Sequence, residues 1–131
     1  MIDARSKNNL TGVHPDLQRV ICAALEAHPV HFIVTEGLRT LERQRKLVAA
    51  GASKTINSRH LTGHAVDVVA SIDMDGDGKK EIRWDMPLFE AFAETVRRHS
   101  ELMDVPIVWG GSWRSFRDGQ HFELYKKVYP A

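Results

Sequence analysis

The residue that most constrains this chain is Asp67, an aspartate that leads directly into an apolar segment. Residues 58 to 67 read SRHLTGHAVD, and VVASI follows them. A strand from Ala65 to Ile72 would have two apolar faces, because side chains alternate between faces along a strand. Asp67 therefore has no evident route to solvent, and burying a carboxylate is costly unless something pairs with it. The fold must bring a partner to Asp67.

Composition indicates one soluble domain spanning residues 1–131, with 43% hydrophobic and 27% charged residues. The formal net charge of +1 gives no electrostatic footprint for nucleic acid. The single cysteine, Cys22, cannot form an internal disulfide, so we expect a buried, unreactive thiol. We see neither a signal peptide nor an apolar run long enough to span a membrane, and we expect a monomer without stable membrane association.

The hydrophobic patterns predict an α+β fold in which a small, mostly antiparallel sheet packs against about three helices, with the active site on the sheet. Pro15 begins the first helix, Thr40 caps the second, which Gly51 ends, and Asp85 and Pro87 begin the third. The predicted strands are VHFIVTE, residues 65 to 72, EIRW, PIVWG and HFELY.

A metal ion is one possible partner for Asp67, and hydrogen bonds from turn amides are the other. His60 lies across a turn at Gly63 and would supply a nitrogen ligand beside the Asp67 oxygen. A catalytic zinc site needs a third protein ligand and an open position for water. His64 is the weaker candidate, because Gly63 argues against a helix that would align it with His60; a solvated loop position suits it better.

The segment RDGQHFE supplies the missing groups. His121 can be the third ligand, and Asp118, three residues earlier in a loop, can accept a proton from the attacking water as general base. Glu123 is an alternative base, but it fits better as a hydrogen-bond partner of a ligand histidine. Trp113, in a Gly/Ser loop, is the better candidate for lining a substrate groove, whereas Trp109 ends an apolar strand and fits the core.

These motifs resemble those of the zinc D,D- and L,D-peptidases of the VanX and VanY type. SRHLTGHAVD matches the pattern S-x-H-x-x-G-x-A-x-D, and DGQH matches the later acidic-x-x-His element. EGLRT with Gln44, and WGGSW before DGQHFE, resemble the compact branch that contains phage L-alanyl-D-glutamate endolysins. The resemblance runs from about Thr35 to Leu124.

The resemblance implies a role for each matching residue. The zinc ligands would be His60, Asp67 and His121, and the catalytic base Asp118. Arg39 would bind the substrate or the developing oxyanion, although by itself it would pass for a surface arginine. Residues expected to support the site or contact substrate are Ser58, Glu123, Trp113 and Gln44.

Two departures from the family pattern stand out. Ser112 occupies the position where the pattern WGGDW has an aspartate, so any role of that carboxylate is absent here. The base is an aspartate, Asp118, where VanX-like members have glutamate, which favours the endolysin branch over the dipeptidases.

A second cation site is predicted in DMDGDGKKEIRWD. Asp73, Asp75 and Asp77 have the spacing of the first ligands of an EF-hand loop, and Glu81 could contribute. The glutamate of position 12 is replaced by Trp84, so calcium would bind weakly, and a plain hairpin turn is the alternative.

The sequence thus predicts a zinc peptidoglycan peptidase that cuts the L-alanyl-D-glutamate bond of the stem peptide. The alternatives are a D-Ala-D-Ala carboxypeptidase or dipeptidase, and a non-catalytic wall-binding module that keeps the metal. An enzyme of the endolysin kind would stay in the host cytoplasm until a holin opened the membrane to the cell wall.

Overall fold

The computed structural model describes residues 2–53, 55–72, 76, 78–113 and 117–130. The helices are α1 (Ala4–Asn9), α2 (Pro15–Ala27), α3 (Leu41–Ala49) and α4 (Met86–Met103), and the strands are β1 (Phe32–Glu36), β2 (Ala65–Ile72), β3 (Glu81–Arg83), β4 (Ile107–Trp109) and β5 (His121–Leu124). Two 3₁₀ turns, Arg59–Thr62 and Gly110–Ser112, precede β2 and follow β4. The predicted α+β class is confirmed.

The sheet is antiparallel throughout its described pairs and has the strand order β1-β2-β5-β4. The third strand, β3, pairs with the far end of β2, where Ala70 lies opposite Arg83. One sheet face packs on α2 and α4, with Phe92 stacked on Phe32 and edge-on to Phe122. The opposite face carries Asp67, and the central strand β2 therefore separates the main core from the candidate site.

The helix starts follow the sequence signals closely. Pro15 is the first residue of α2, and the Thr40 hydroxyl accepts a hydrogen bond from the Arg43 amide at the start of α3. Asp85 precedes α4 but makes no side-chain cap bond. Within the described residues, no helix is both long and apolar enough to cross a membrane.

The short helix α1 was not predicted, because its sequence lacks an apolar stripe. It is held by polar contacts instead: the Asp3 carboxylate accepts from the Ser6 amide, and the buried Ser6 hydroxyl accepts from the Val34 amide of β1. The Asn9 side-chain amide donates to the Val34 carbonyl. These bonds attach α1 to the strand that runs towards the candidate site.

The proposed calcium residues Asp73, Asp75 and Asp77 lie outside the described residues. Glu81 is an exposed residue at the start of β3, opposite Ile72. The strands on either side of these residues, β2 and β3, pair antiparallel.

Gly63 fixes the entry to β2. It has φ +75°, and an added Cβ would lie 2.5 Å from the Gly12 carbonyl oxygen, while its own carbonyl accepts from the His14 amide. We expect Gly63→Ala to lower the free energy of unfolding by about 3 kcal/mol or more, since backbone strain and a clash add together. Urea denaturation measures the change.

Gly51 provides a matched control, because it has the same φ but nothing within 4 Å of an added Cβ. Gly51→Ala should cost only about 1 kcal/mol, the strain of the left-handed backbone. Equal losses at the two positions would contradict the importance of the close approach between Gly63 and Gly12.

Candidate metal centre and active site

Strand register brings the candidate ligands together around Asp67. In the pairing of β2 with β5, Asp67 lies directly opposite His121. In the pairing of β1 with β2, a register irregularity between Val34 and Glu36 leaves Glu36 opposite Asp67. Directly opposite residues of antiparallel strands share a face. The sheet thus places a histidine and a glutamate on either side of the buried aspartate.

The 3₁₀ turn before β2 supplies the second histidine. The Ser58 hydroxyl accepts from the His60 amide at the start of this turn. The imidazole of His60 is buried, and its Nδ1 lies 2.8 Å from the Gly37 carbonyl oxygen, to which it donates. His60 Nε2 is left facing Asp67, 3.1 Å from Oδ1.

The second imidazole is oriented by a carboxylate. His121 Nε2 lies 2.8 Å from Glu123 Oε1, whereas Nδ1 lies 3.3 Å from Asp67 Oδ1. The two rings thus direct opposite nitrogens, Nε2 of His60 and Nδ1 of His121, to the same oxygen. Outer hydrogen bonds that fix ring orientation in this way are typical of histidines that bind metals.

The three inner groups fit a divalent metal ion. Among the described residues, His60, Asp67 and His121 form a buried cluster whose ligand atoms all lie within 4.8 Å of one another. Two imidazole nitrogens and one carboxylate oxygen are a donor set that zinc accepts, and three protein ligands leave a position open for water or substrate. His64 lies outside the cluster, with its Nδ1 2.7 Å from the Thr62 hydroxyl, as its loop position predicted.

The protonation of the cluster reflects its burial and its mutual contacts. Burial alone would raise the pKa of Asp67, but hydrogen bonds from His121 and His60 hold this pKa far below its usual range. Burial alone would lower the pKa of His121, but the carboxylates of Asp67 and Glu123 raise it to about 9. In the metal-free protein a proton on His121 therefore offsets the buried negative charge.

A cavity of about 600 Å³ opens over the cluster. Its wall includes the three candidate ligands together with Arg39, Asp118 and Trp113. The Trp113 ring lies 5.2 Å from the His121 ring, centroid to centroid. Trp109 instead stacks near Phe122 and donates from Nε1 to the Gly119 carbonyl. Trp113 thus lines the cavity, whereas Trp109 packs against the core.

Arg39 is a buried residue, so the surface interpretation of this arginine is wrong. Its guanidinium donates to Glu36 Oε1 at 2.6 Å and to Gln44 Oε1 at 2.7 Å, and it lies 3.6 Å from Asp67 Oδ2. Gln44 is fully buried and donates in turn to the Thr55 carbonyl and the Ser53 hydroxyl. Gln44 therefore holds Arg39 in place beside the cluster.

Asp118 is fixed by the loop between β4 and β5. Its amide donates to the Gly110 carbonyl, and its carbonyl accepts from the His121 amide. A Cβ on Gly110 would lie 2.4 Å from the Asp118 carbonyl oxygen, so only glycine permits this approach. Burial raises the pKa of Asp118, and the nearby Asp67 charge raises it further. With a higher pKa, the Asp118 carboxylate takes up a proton more readily, as a general base must.

Two residues of the site were not identified from sequence. Glu36 pairs with both Arg39 and Arg43, and Arg59 lies 3.7 Å from Glu123 and donates to the Tyr129 carbonyl. Glu36 lies three residues before Arg39, and this spacing could have indicated that the two residues pair. No feature of the neighbouring sequence indicated that Arg59 lies near Glu123. At the position of the missing aspartate, the Ser112 hydroxyl donates to the Trp109 carbonyl.

Comparisons with known proteins agree with this geometry. The family described as phage L-alanyl-D-glutamate peptidase matches residues 1–129. The chain belongs to this family. It is 30% identical over 128 residues to the L-alanyl-D-glutamate peptidase of Escherichia phage T5, covering 95% of this chain and 88% of the relative.

Solved structures show the same fold. The L-Ala D-Glu endopeptidase ChiX of Serratia marcescens superposes with a TM-score of 0.87 at 48% identity, covering 98% of this chain and 92% of that one. The vancomycin resistance D,D-dipeptidase VanXYg is similar in fold alone, with a TM-score of 0.52 at 18% identity; the match covers 86% of this chain and 50% of that chain.

Zinc binding is expected to release about one proton near neutral pH, because His121 must lose its Nδ1 proton to bind a metal. Zinc affinity should accordingly rise with pH up to about 9, the pKa of His121. Calorimetric titration in two buffers of different ionisation enthalpy measures the proton count.

Glu123→Gln is the informative variant for this prediction. Without the Glu123 carboxylate the pKa of His121 falls, so fewer protons should be released while zinc still binds. His121→Ala should not bind zinc at the site at all. Zinc uptake without proton release by the unaltered protein, or full zinc occupancy in His121→Ala, would contradict the ligand assignment.

Proposed function

We propose that the chain is a zinc peptidase that hydrolyses the L-alanyl-D-glutamate bond of peptidoglycan stem peptides. The observation that carries the proposal is the buried cluster of His60, Asp67 and His121 at the base of an open cavity that Arg39 and Asp118 also line. Membership of the phage L-alanyl-D-glutamate peptidase family supports the choice of bond.

In the proposed mechanism the three cluster residues hold the zinc ion. When bound, zinc polarises a carbonyl oxygen and lowers the pKa of water to about 7. Asp118 accepts the proton of the attacking water on its carboxylate and then passes it to the nitrogen of the leaving D-glutamate. The raised proton affinity of Asp118 suits both transfers, although a bound cation would partly reduce it.

Arg39 stabilises the negative charge that develops on the scissile carbonyl oxygen. Its guanidinium is oriented in advance by Glu36 and Gln44, so it need not reorganise during the reaction. Donors that are fixed before the reaction stabilise developing charge most effectively. Ser58 and Glu123 act indirectly, by holding His60 and His121 in orientation.

Three further expectations belong to this proposal. The enzyme acts as a monomer on the peptides of the cell wall, and it reaches them from the host cytoplasm after a holin opens the membrane. A third expectation is weak calcium binding by Asp73, Asp75 and Asp77 with help from Glu81, which is supported by the spacing of these residues alone. Calcium titration by calorimetry, with Asp75→Ala/Asp77→Ala as control, tests it; no heat at millimolar calcium leaves a plain hairpin.

Digestion of purified cell walls tests the bond. Mass spectrometry should find fragments with a new N-terminal D-glutamate, and their formation should require zinc. Release of D-alanine would identify a carboxypeptidase or dipeptidase instead. Binding to walls without any cleavage would identify a non-catalytic module.

Asp118→Asn should bind zinc normally but lose turnover by about 10²- to 10⁴-fold, the usual contribution of a general base. Asp104→Asn is the matched control, because Asp104 is exposed and asparagine tolerates its positive φ. Normal turnover in Asp118→Asn together with an inactive Glu123→Gln would assign the base to Glu123.

A further inference from the structure

The cavity over the three candidate metal ligands has one wall that is rich in arginine. Arg39 and Arg43 flank Glu36, and Arg5 reaches the same cavity from α1. Glu36 is the acidic partner on this wall: its Oε1 pairs with Arg39 and its Oε2 with Arg43. Arg39 also lies 3.6 Å from Asp67 Oδ2, so two carboxylates stand against the three guanidinium groups, and the wall keeps an excess of one positive charge.

The excess charge is carried by Arg5 and Arg43. Arg43 uses only Nε to reach Glu36, 3.1 Å away, and its two terminal nitrogens make no hydrogen bond with the described residues. Arg5 is exposed, and it has neither an ion pair nor a hydrogen bond within the described part of the chain. Both side chains therefore have donors available to a ligand in the cavity.

The proposed substrate carries a matching charge. When the amine of D-glutamate is acylated by alanine and one of its carboxyl groups continues the peptide, its other carboxyl group stays free beside the scissile bond. Guanidinium groups bind carboxylates through charge-assisted, often bidentate, hydrogen bonds. A free carboxylate on the residue that follows the scissile bond is thus the anion that this wall suits.

We propose that Arg5 and Arg43 form a subsite that binds the free carboxylate of the D-glutamate residue. This inference rests on the proposed function. Arg39 remains at the reacting carbonyl, while Arg5 and Arg43 select the substrate by the charge next to it. The enzyme should then prefer peptides with a free carboxylate over peptides in which the same group is a carboxamide.

The test compares two matched peptides that contain the alanyl-glutamyl bond and differ only in this group, carboxylate or carboxamide. The unaltered protein should cleave the carboxylate peptide with the higher kcat/KM. Arg5→Gln and Arg43→Gln should each lose about 10-fold in kcat/KM on the carboxylate peptide, the usual effect of one charged hydrogen bond, and change little on the carboxamide peptide.

Arg45→Gln is the matched control, because Arg45 is exposed on the same helix as Arg43 and does not line the cavity. It should behave as the unaltered protein on both peptides. Thermal melts of all variants verify folding. Equal losses on both peptides, or no preference in the unaltered protein, would overturn the subsite alone. Failure of the unaltered protein to cut the alanyl-glutamyl bond in either peptide would overturn the proposed function, and the subsite with it.

Discussion

The shared contact of two imidazoles with Asp67 Oδ1 is the interaction on which the site depends. His60 Nε2 and His121 Nδ1 approach this oxygen to 3.1 and 3.3 Å from different elements, a 3₁₀ turn and a neighbouring strand. Each ring is held on its far side, by the Gly37 carbonyl and by Glu123. A buried carboxylate at this position is tolerable only because those partners converge on it.

Proton and metal compete for this cluster. The metal-free site offsets the Asp67 charge with a proton on His121, whose pKa is raised to about 9. A divalent cation replaces that proton and adds one further positive charge. Metal uptake should therefore depend on pH through His121.

Much of this arrangement could be predicted from sequence, because its signals are local. The turn at Gly63, the alternation through Asp67 and the short spacing of Asp118 and His121 each lie within about ten residues. The contacts that could not be predicted are formed between distant segments. The opposition of Glu36 and Asp67 depends on an irregularity in strand register, and Arg59 reaches a carbonyl 70 residues away. Helix α1 is held by hydrogen bonds to β1 rather than by an apolar stripe.

The candidate metal ligands on the strands and the aspartate on the loop lie in parts of the fold that differ in rigidity. Asp67 and His121 lie on paired strands, where the ladder fixes their separation, whereas Asp118 lies on a loop that is tied back to Gly110. A metal requires fixed ligand positions. In the proposed mechanism Asp118 must reach first the water and then the leaving nitrogen, so its short side chain needs some freedom of its own. The hydrogen bond from the Asp118 amide to the Gly110 carbonyl holds the backbone, so that freedom belongs to the side chain.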